Sequence, residues 1–140
     1  MNTVRLINPF LGTIDYVSPN GGTLAFRTKT EEKDKLIVQL GSANPETALK
    51  AAKRVEQDVS GIDINMGCPK HFSTHGGMGS QLLQTPQIAA EILTTLVSNL
   101  SVPVSCKIRL LPTLAETKSY IKLMASTGIR WIAVHLRTVD

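Results

Sequence analysis

From residue 35 onward, short aliphatic runs alternate with stretches of helical periodicity, and this pattern constrains the fold more than any other feature. The runs are Lys35–Leu40, Gly61–Asn65, Pro103–Arg109 and Trp131–His135. After the first, Asn44-Pro45-Glu46 reads as N-cap, first-turn proline and first-turn acid, ahead of a stripe of Ala48, Ala51, Ala52 and Val55. Thr85-Pro86 opens a second helix whose inner face is Ile88, Ile92, Leu93, Leu96 and Val97. Thr113-Leu114-Ala115-Glu116 is a capping box for a third helix that ends at Gly128. Strand–helix alternation of this kind predicts an α/β protein with a parallel sheet. Ahead of it, Thr13–Ser18 and Thr23–Thr28 flank Pro19-Asn20-Gly21-Gly22 and predict a short β-hairpin. The mixed charges of residues 28–35 predict a solvated connector, and the chain shows no internal repeat.

Strand side chains alternate between faces, so each run can be sorted by parity. One parity is aliphatic: Leu36, Val38 and Leu40, then Ile62 and Ile64, then Val104, Cys106 and Ile108, then Ile132 and Val134. That face is expected under the helices. The other parity carries Gln39, Asp63, Asn65, Lys107, Arg109, His135 and Arg137, toward the C-terminal ends of the strands. Polar groups delivered to one end by four consecutive strands predict a site there, as in a (β/α) barrel. A doubly wound sheet with scattered polar strand ends is the plainer alternative.

Composition narrows the class. Hydrophobic residues make up 42% of the 140, enough for an ordinary core and against wholesale disorder. Fifteen Lys and Arg against eleven Asp and Glu give a charge of +4, compatible with RNA or a phosphate ligand. No apolar run reaches membrane-spanning length, and the start lacks the apolar core of a signal peptide. Two cysteines, Cys68 and Cys106, do not make a disulfide framework, so a reducing compartment, the cytoplasm first, is expected.

The stretch Asn65-Met66-Gly67-Cys68-Pro69-Lys70-His71-Phe72-Ser73-Thr74-His75-Gly76-Gly77-Met78-Gly79-Ser80 places a thiol on the loop directly after a strand. A thiol there can act as nucleophile, metal ligand or proton donor. Cys68, His71 and His75 have the spacing of a zinc half-site. Only Cys106 and His135 remain to complete it, and parity turns Cys106 into the core, so no metal is expected. The glycine loop 76–79 lacks the Lys-Ser/Thr of a P-loop and reads as a flexible segment beside the site.

Asn65-Met66-Gly67-Cys68-Pro69 with Gly76-Gly77-Met78-Gly79, Cys106-Lys107-Ile108-Arg109 and Ala133-Val134-His135 resembles the tRNA-dihydrouridine synthases. The fuller strings of residues 61–79 and 104–121 resemble the eukaryotic branch that acts on position 20 of tRNA. The resemblance implies an FMN-binding TIM (β/α)8 barrel followed by a helical tRNA-binding domain, with NADPH as reductant. It implies that Cys68 protonates C5 of a uridine that has taken hydride at C6. It implies that Gln39, Lys107 and His135 contact FMN, and that Asn65 and Arg109 lie near flavin or target base. Two residues depart from the family pattern: Leu136 stands at a usual glycine, and His75 at a frequent lysine.

Aligned on that family, the four runs correspond to barrel strands three to six. The whole of residues 1–140 is then expected to be one partial barrel domain, without the remaining strands or the helical domain. Such a half barrel has two unpaired edges and an open inner face, so self-association and inactivity in isolation are expected. Two rival readings are another FMN-dependent barrel oxidoreductase acting on a small molecule, and a non-enzymatic remnant that binds RNA or a partner chain.

Overall fold

The computed structural model describes residues 3–139. Its larger unit is a four-stranded parallel sheet of β4 (Ile37–Leu40), β5 (Gly61–Met66), β6 (Val104–Arg109) and β7 (Trp131–His135), in sequential order. Helices α1 (Pro45–Val55), α3 (Pro86–Asn99) and α4 (Leu114–Ala125) connect them, and the four-residue α2 (His71–Thr74) follows β5. The sequential order is the one consecutive β-α-β units produce. β4 and β7 form the sheet's edges.

The helices begin where their caps predict. Asn44 accepts from the Glu46 and Thr47 amides, and Thr113 accepts from the Glu116 amide while the Glu116 carboxylate accepts from the Thr113 amide. Each cap satisfies amides that would otherwise lack partners, worth about 1 kcal/mol. The aliphatic parity packs under the helices as expected: Ile62, Ile64, Cys106 and Ile108 are fully buried against Ala48, Ala52, Ile92, Leu93 and Leu96. Each fully buried aliphatic side chain contributes about 1.5–3 kcal/mol, so this layer is the main source of stability. On the edge strand β7, Ile132 and Val134 are only half-buried.

The predicted hairpin is present as β2 (Thr13–Val17) and β3 (Leu24–Thr28), but it belongs to a three-stranded antiparallel sheet. The additional strand, β1 (Val4–Asn8), pairs with β2 from Val4↔Val17 to Asn8↔Thr13. This strand escaped the sequence reading because Val4, Leu6 and Ile7 are exposed and show no buried parity. The connector is a 3₁₀ turn, Thr30–Lys35, exposed along its length as expected for a solvated segment.

A polar clamp joins the antiparallel sheet to the C-terminal end of α1. Arg5 grips Asp58 through Nε at 2.6 Å and Nη2 at 2.9 Å, while the Tyr16 hydroxyl donates to the same carboxylate. Arg54, near the end of α1, donates to the Thr3 carbonyl. The guanidinium and the phenol hold the Asp58 carboxyl below its ordinary value, and burial pushes the Tyr16 phenol up. Among the described residues no helix is long and apolar enough to cross a membrane.

Candidate active site

The polar parity converges at the C-terminal rim of the parallel sheet. Register sets the rows: Gln39 stands opposite Asp63, Asn65 opposite Lys107, and Arg109 opposite His135. Each step crosses one strand spacing of ~4.8 Å. The row therefore runs diagonally from β4 to β7.

Hydrogen bonds lock the first half of this row. Gln39 Nε2 donates to Asp63 Oδ2 at 2.7 Å, and the Ser105 hydroxyl donates to Asp63 Oδ1 at 2.6 Å. Asn65 Nδ2 donates to Gln39 Oε1 at 2.9 Å, which also fixes which way both amides face. Asn65 Oδ1 accepts from the backbone amides of Gly67 and Cys68 at 3.1 and 3.0 Å. One asparagine thus ties the strand end to the turn that carries the thiol. Asp63 is 8% exposed and Ser105 fully buried, so the carboxylate is an internal brace for Gln39 rather than a group open to ligand.

The Cys68 turn is held from both sides. Arg109 Nε donates to the Gly67 carbonyl at 2.7 Å, and its Nη1 donates to the Thr138 carbonyl at 2.9 Å. The Ser80 amide donates to the Cys68 carbonyl at 2.9 Å, and the Met78 amide to the Ser73 carbonyl at 3.0 Å. The reading of 76–79 as a flexible segment is therefore corrected: the loop is strapped to the turn, with Gly79 and Ser80 buried. Gly79 adopts φ +60°, and a Cβ on it would lie 2.5 Å from the Cys68 carbonyl oxygen. Only glycine supplies both the conformation and the clearance.

Gln39, Asn65 and Cys68 line one cavity of about 230 Å³, together with Leu40, Gly41, Phe72, Ser73 and Met78. Cys68 is half-buried there. Lys107 and His135 lie farther along the rim and do not line this cavity. Among the described residues, the Lys107 ammonium and the His135 ring have no hydrogen-bond partner. The surroundings of the His135 ring, then the positive charges of Arg109, Lys107 and Arg137, hold its pKa below the ordinary value. A basic stretch of rim therefore adjoins the thiol cavity.

Cys106 lies on the opposite parity. Burial, and then the Asp63 charge, push its thiol up to about 12, so it is a core residue. His71 and His75 stack on each other with ring centroids 5.1 Å apart. Among the described residues, no group of three or more His, Cys, Asp or Glu is arranged to hold a metal ion. Leu136 is well exposed. Sequence reasoning placed Asp63 on the site parity but missed Ser105, whose signal was that same parity. It also missed Phe72 and Met78 as cavity walls, because a four-residue helical turn and the loop after it are too short to show periodicity.

A parallel α/β sheet with a thiol turn, paired amides and a basic rim at its C-terminal edge places a candidate site where (β/α) enzymes carry theirs. The chain matches the dihydrouridine synthase (Dus) family over residues 2–140, and it belongs to that family. It is 50% identical over 147 residues to the tRNA-dihydrouridine(20) synthase [NAD(P)+] of Saccharomyces cerevisiae, covering 98% of this chain and 38% of that protein. It is 46% identical over 138 residues to the protein of the same name from Schizosaccharomyces pombe, covering 96% of this chain and 29% of that protein. The Schizosaccharomyces pombe tRNA-dihydrouridine(20a/20b) synthase [NAD(P)+] is more distant, at 32% over 139 residues. The chain thus spans about a third of the length of the two position-20 relatives.

Proposed function

We propose that this chain is the central segment of the catalytic barrel of a tRNA-dihydrouridine synthase acting on position 20, with NADPH as reductant and FMN as cofactor. Its sheet supplies barrel strands three to six, and the edges β4 and β7 are where further strands or a second copy would pair. The cytoplasmic tRNA pool is the expected source of substrate. The observation that carries the reading is the meeting of Cys68 with Gln39 and Asn65 around one cavity at the strand ends, in a chain of this family.

The residues suit FMN by their chemistry. The cofactor is anionic through its phosphate and gains negative charge on reduction, and the rim offers the Lys107 ammonium and the His135 ring, which have no hydrogen-bond partner among the described residues, with Arg109 beside them. Gln39, Lys107 and His135 would hold it, with Gln39 kept in orientation by Asp63. FMN, when bound, supplies the hydride that reaches C6 of the uracil ring. Cys68 would then deliver the proton that C5 requires, a positioned thiol being able to act as a general acid. Asn65 positions that sulfur by holding the Gly67 and Cys68 amides. Arg109 braces the same turn through the Gly67 carbonyl and lies near the reacting base. The basic rim meets the phosphates of an RNA whose target base has left its stack.

The test is the dihydrouridine content of tRNA from cells in which the gene for this chain is deleted. Position 20 loses the modification, the wild-type gene restores it, and the Cys68→Ala gene does not. Unchanged dihydrouridine in the deletion strain overturns the reading. Full restoration by Cys68→Ala overturns the role of the thiol.

A further inference from the structure

Phe72 is the one large apolar side chain on the wall of the thiol cavity that faces solvent, at 73% exposed. An aromatic ring exposed at a cavity mouth offers a flat apolar face on which another ring can stack. The backbone beneath it is firmly set. The Ser73 and Thr74 amides both donate to the Lys70 carbonyl, Ser73 is buried, and the Met78 amide returns to the Ser73 carbonyl. Phe72 therefore projects outward from an anchored turn. Among the described residues it has no aromatic partner.

The same cavity is lined by the interlocked amides of Gln39 and Asn65, by the Cys68 thiol and by the apolar side chains of Leu40 and Met78. No lysine, arginine or histidine lines it, so it does not suit a phosphate. Its volume of about 230 Å³ lies below the ~300 Å³ at which pockets enclose a whole drug-sized ligand. A flat single ring with amide-like edges fits both the size and the lining.

We propose that Phe72 is the stacking platform for the target pyrimidine, covering one face of the base while Asn65 lies at its edge and Cys68 reaches its C5. This rests on the reading of uridine as substrate. Stacking on an aromatic side chain holds a base equally before and during reaction, so its loss raises KM and leaves kcat nearly unchanged.

The experiment measures dihydrouridine formation on unmodified tRNA by the protein produced from its own gene, with Phe72→Leu, Phe72→Tyr and Cys68→Ala alongside the wild type. Phe72→Leu keeps the apolar bulk and loses the aromatic face, and is expected to raise KM about 5- to 150-fold. Phe72→Tyr restores a KM close to wild type. A wild-type KM in Phe72→Leu overturns the proposal, and so does a Phe72→Tyr defect as large as that of Phe72→Leu. A lowered melting temperature in Phe72→Leu with KM unchanged also overturns it, since the ring then packs against protein. Failure of the parent reading looks different: the wild type makes no dihydrouridine, or Cys68→Ala makes it at the wild-type rate, and the stacking role falls with it.

Discussion

Replacing Gly79 with alanine tests the coupling between the glycine loop and the thiol turn. The residue sits at φ +60°, and an added Cβ would lie 2.4 Å from Ser73 Oγ, 2.5 Å from the Cys68 carbonyl oxygen and 3.2 Å from Cys68 Cβ. The left-handed conformation costs an alanine roughly 1–2 kcal/mol. Forcing backbone and side chain apart in a packed site costs about 1–3 kcal/mol more. The total is about 2–5 kcal/mol, a large share of a small domain's stability. Gly12 provides the control, because it has φ +61° and no atom within 4 Å of an added Cβ. Gly12→Ala is expected to lose only the conformational part, roughly 1–2 kcal/mol. Urea unfolding followed by circular dichroism measures both variants, and the alkylation rate of Cys68 reports whether its turn has moved. The coupling argument fails if the two variants lose equal stability and Cys68 alkylates at the wild-type rate in both.

Three further outcomes follow from the site. Asp63→Ala leaves the Ser105 hydroxyl and the Gln39 amide without their acceptor and is expected to cost about 1–3 kcal/mol in urea unfolding. Adding Ser105→Ala recovers part of that loss, because one orphaned donor is gone. Iodoacetamide labels one thiol in the native protein and two in denaturant, as judged by mass, since Cys68 is half-buried while Cys106 is buried with its thiol pushed up to about 12. The His135 ring titrates below 6.5 by NMR, and Lys107→Met moves its midpoint up. Its folded pKa is depressed, so the unfolded chain takes up the proton first, and stability declines as pH falls below about 6.5.

Much of the architecture is written in local pattern. Asn44-Pro45 and the Thr113–Glu116 box start helices where they stand, because capping needs only the next few residues. Alternation along Gly61–Asn65 and Val104–Arg109 separates a buried face from a polar one, because successive strand side chains point opposite ways. That is why the sequence alone assigns Asn65, Lys107 and Arg109 to one rim. β1 was not legible, since its stability comes from pairing with β2 and not from a buried stripe.

The chain's own order of residues therefore settles which elements form, which face of each strand meets the helices, and that a thiol follows the second strand of the parallel sheet. It does not say which polar groups meet. Asp63 braces Gln39 and Ser105 because parallel register brings β4, β5 and β6 side by side. Gly79 reaches the Cys68 carbonyl only because the loop folds back onto the turn it left. Helix caps and strand parity depend on neighbours a few bonds away. Partners across a sheet or a folded loop depend on distances that exist only after the core has closed.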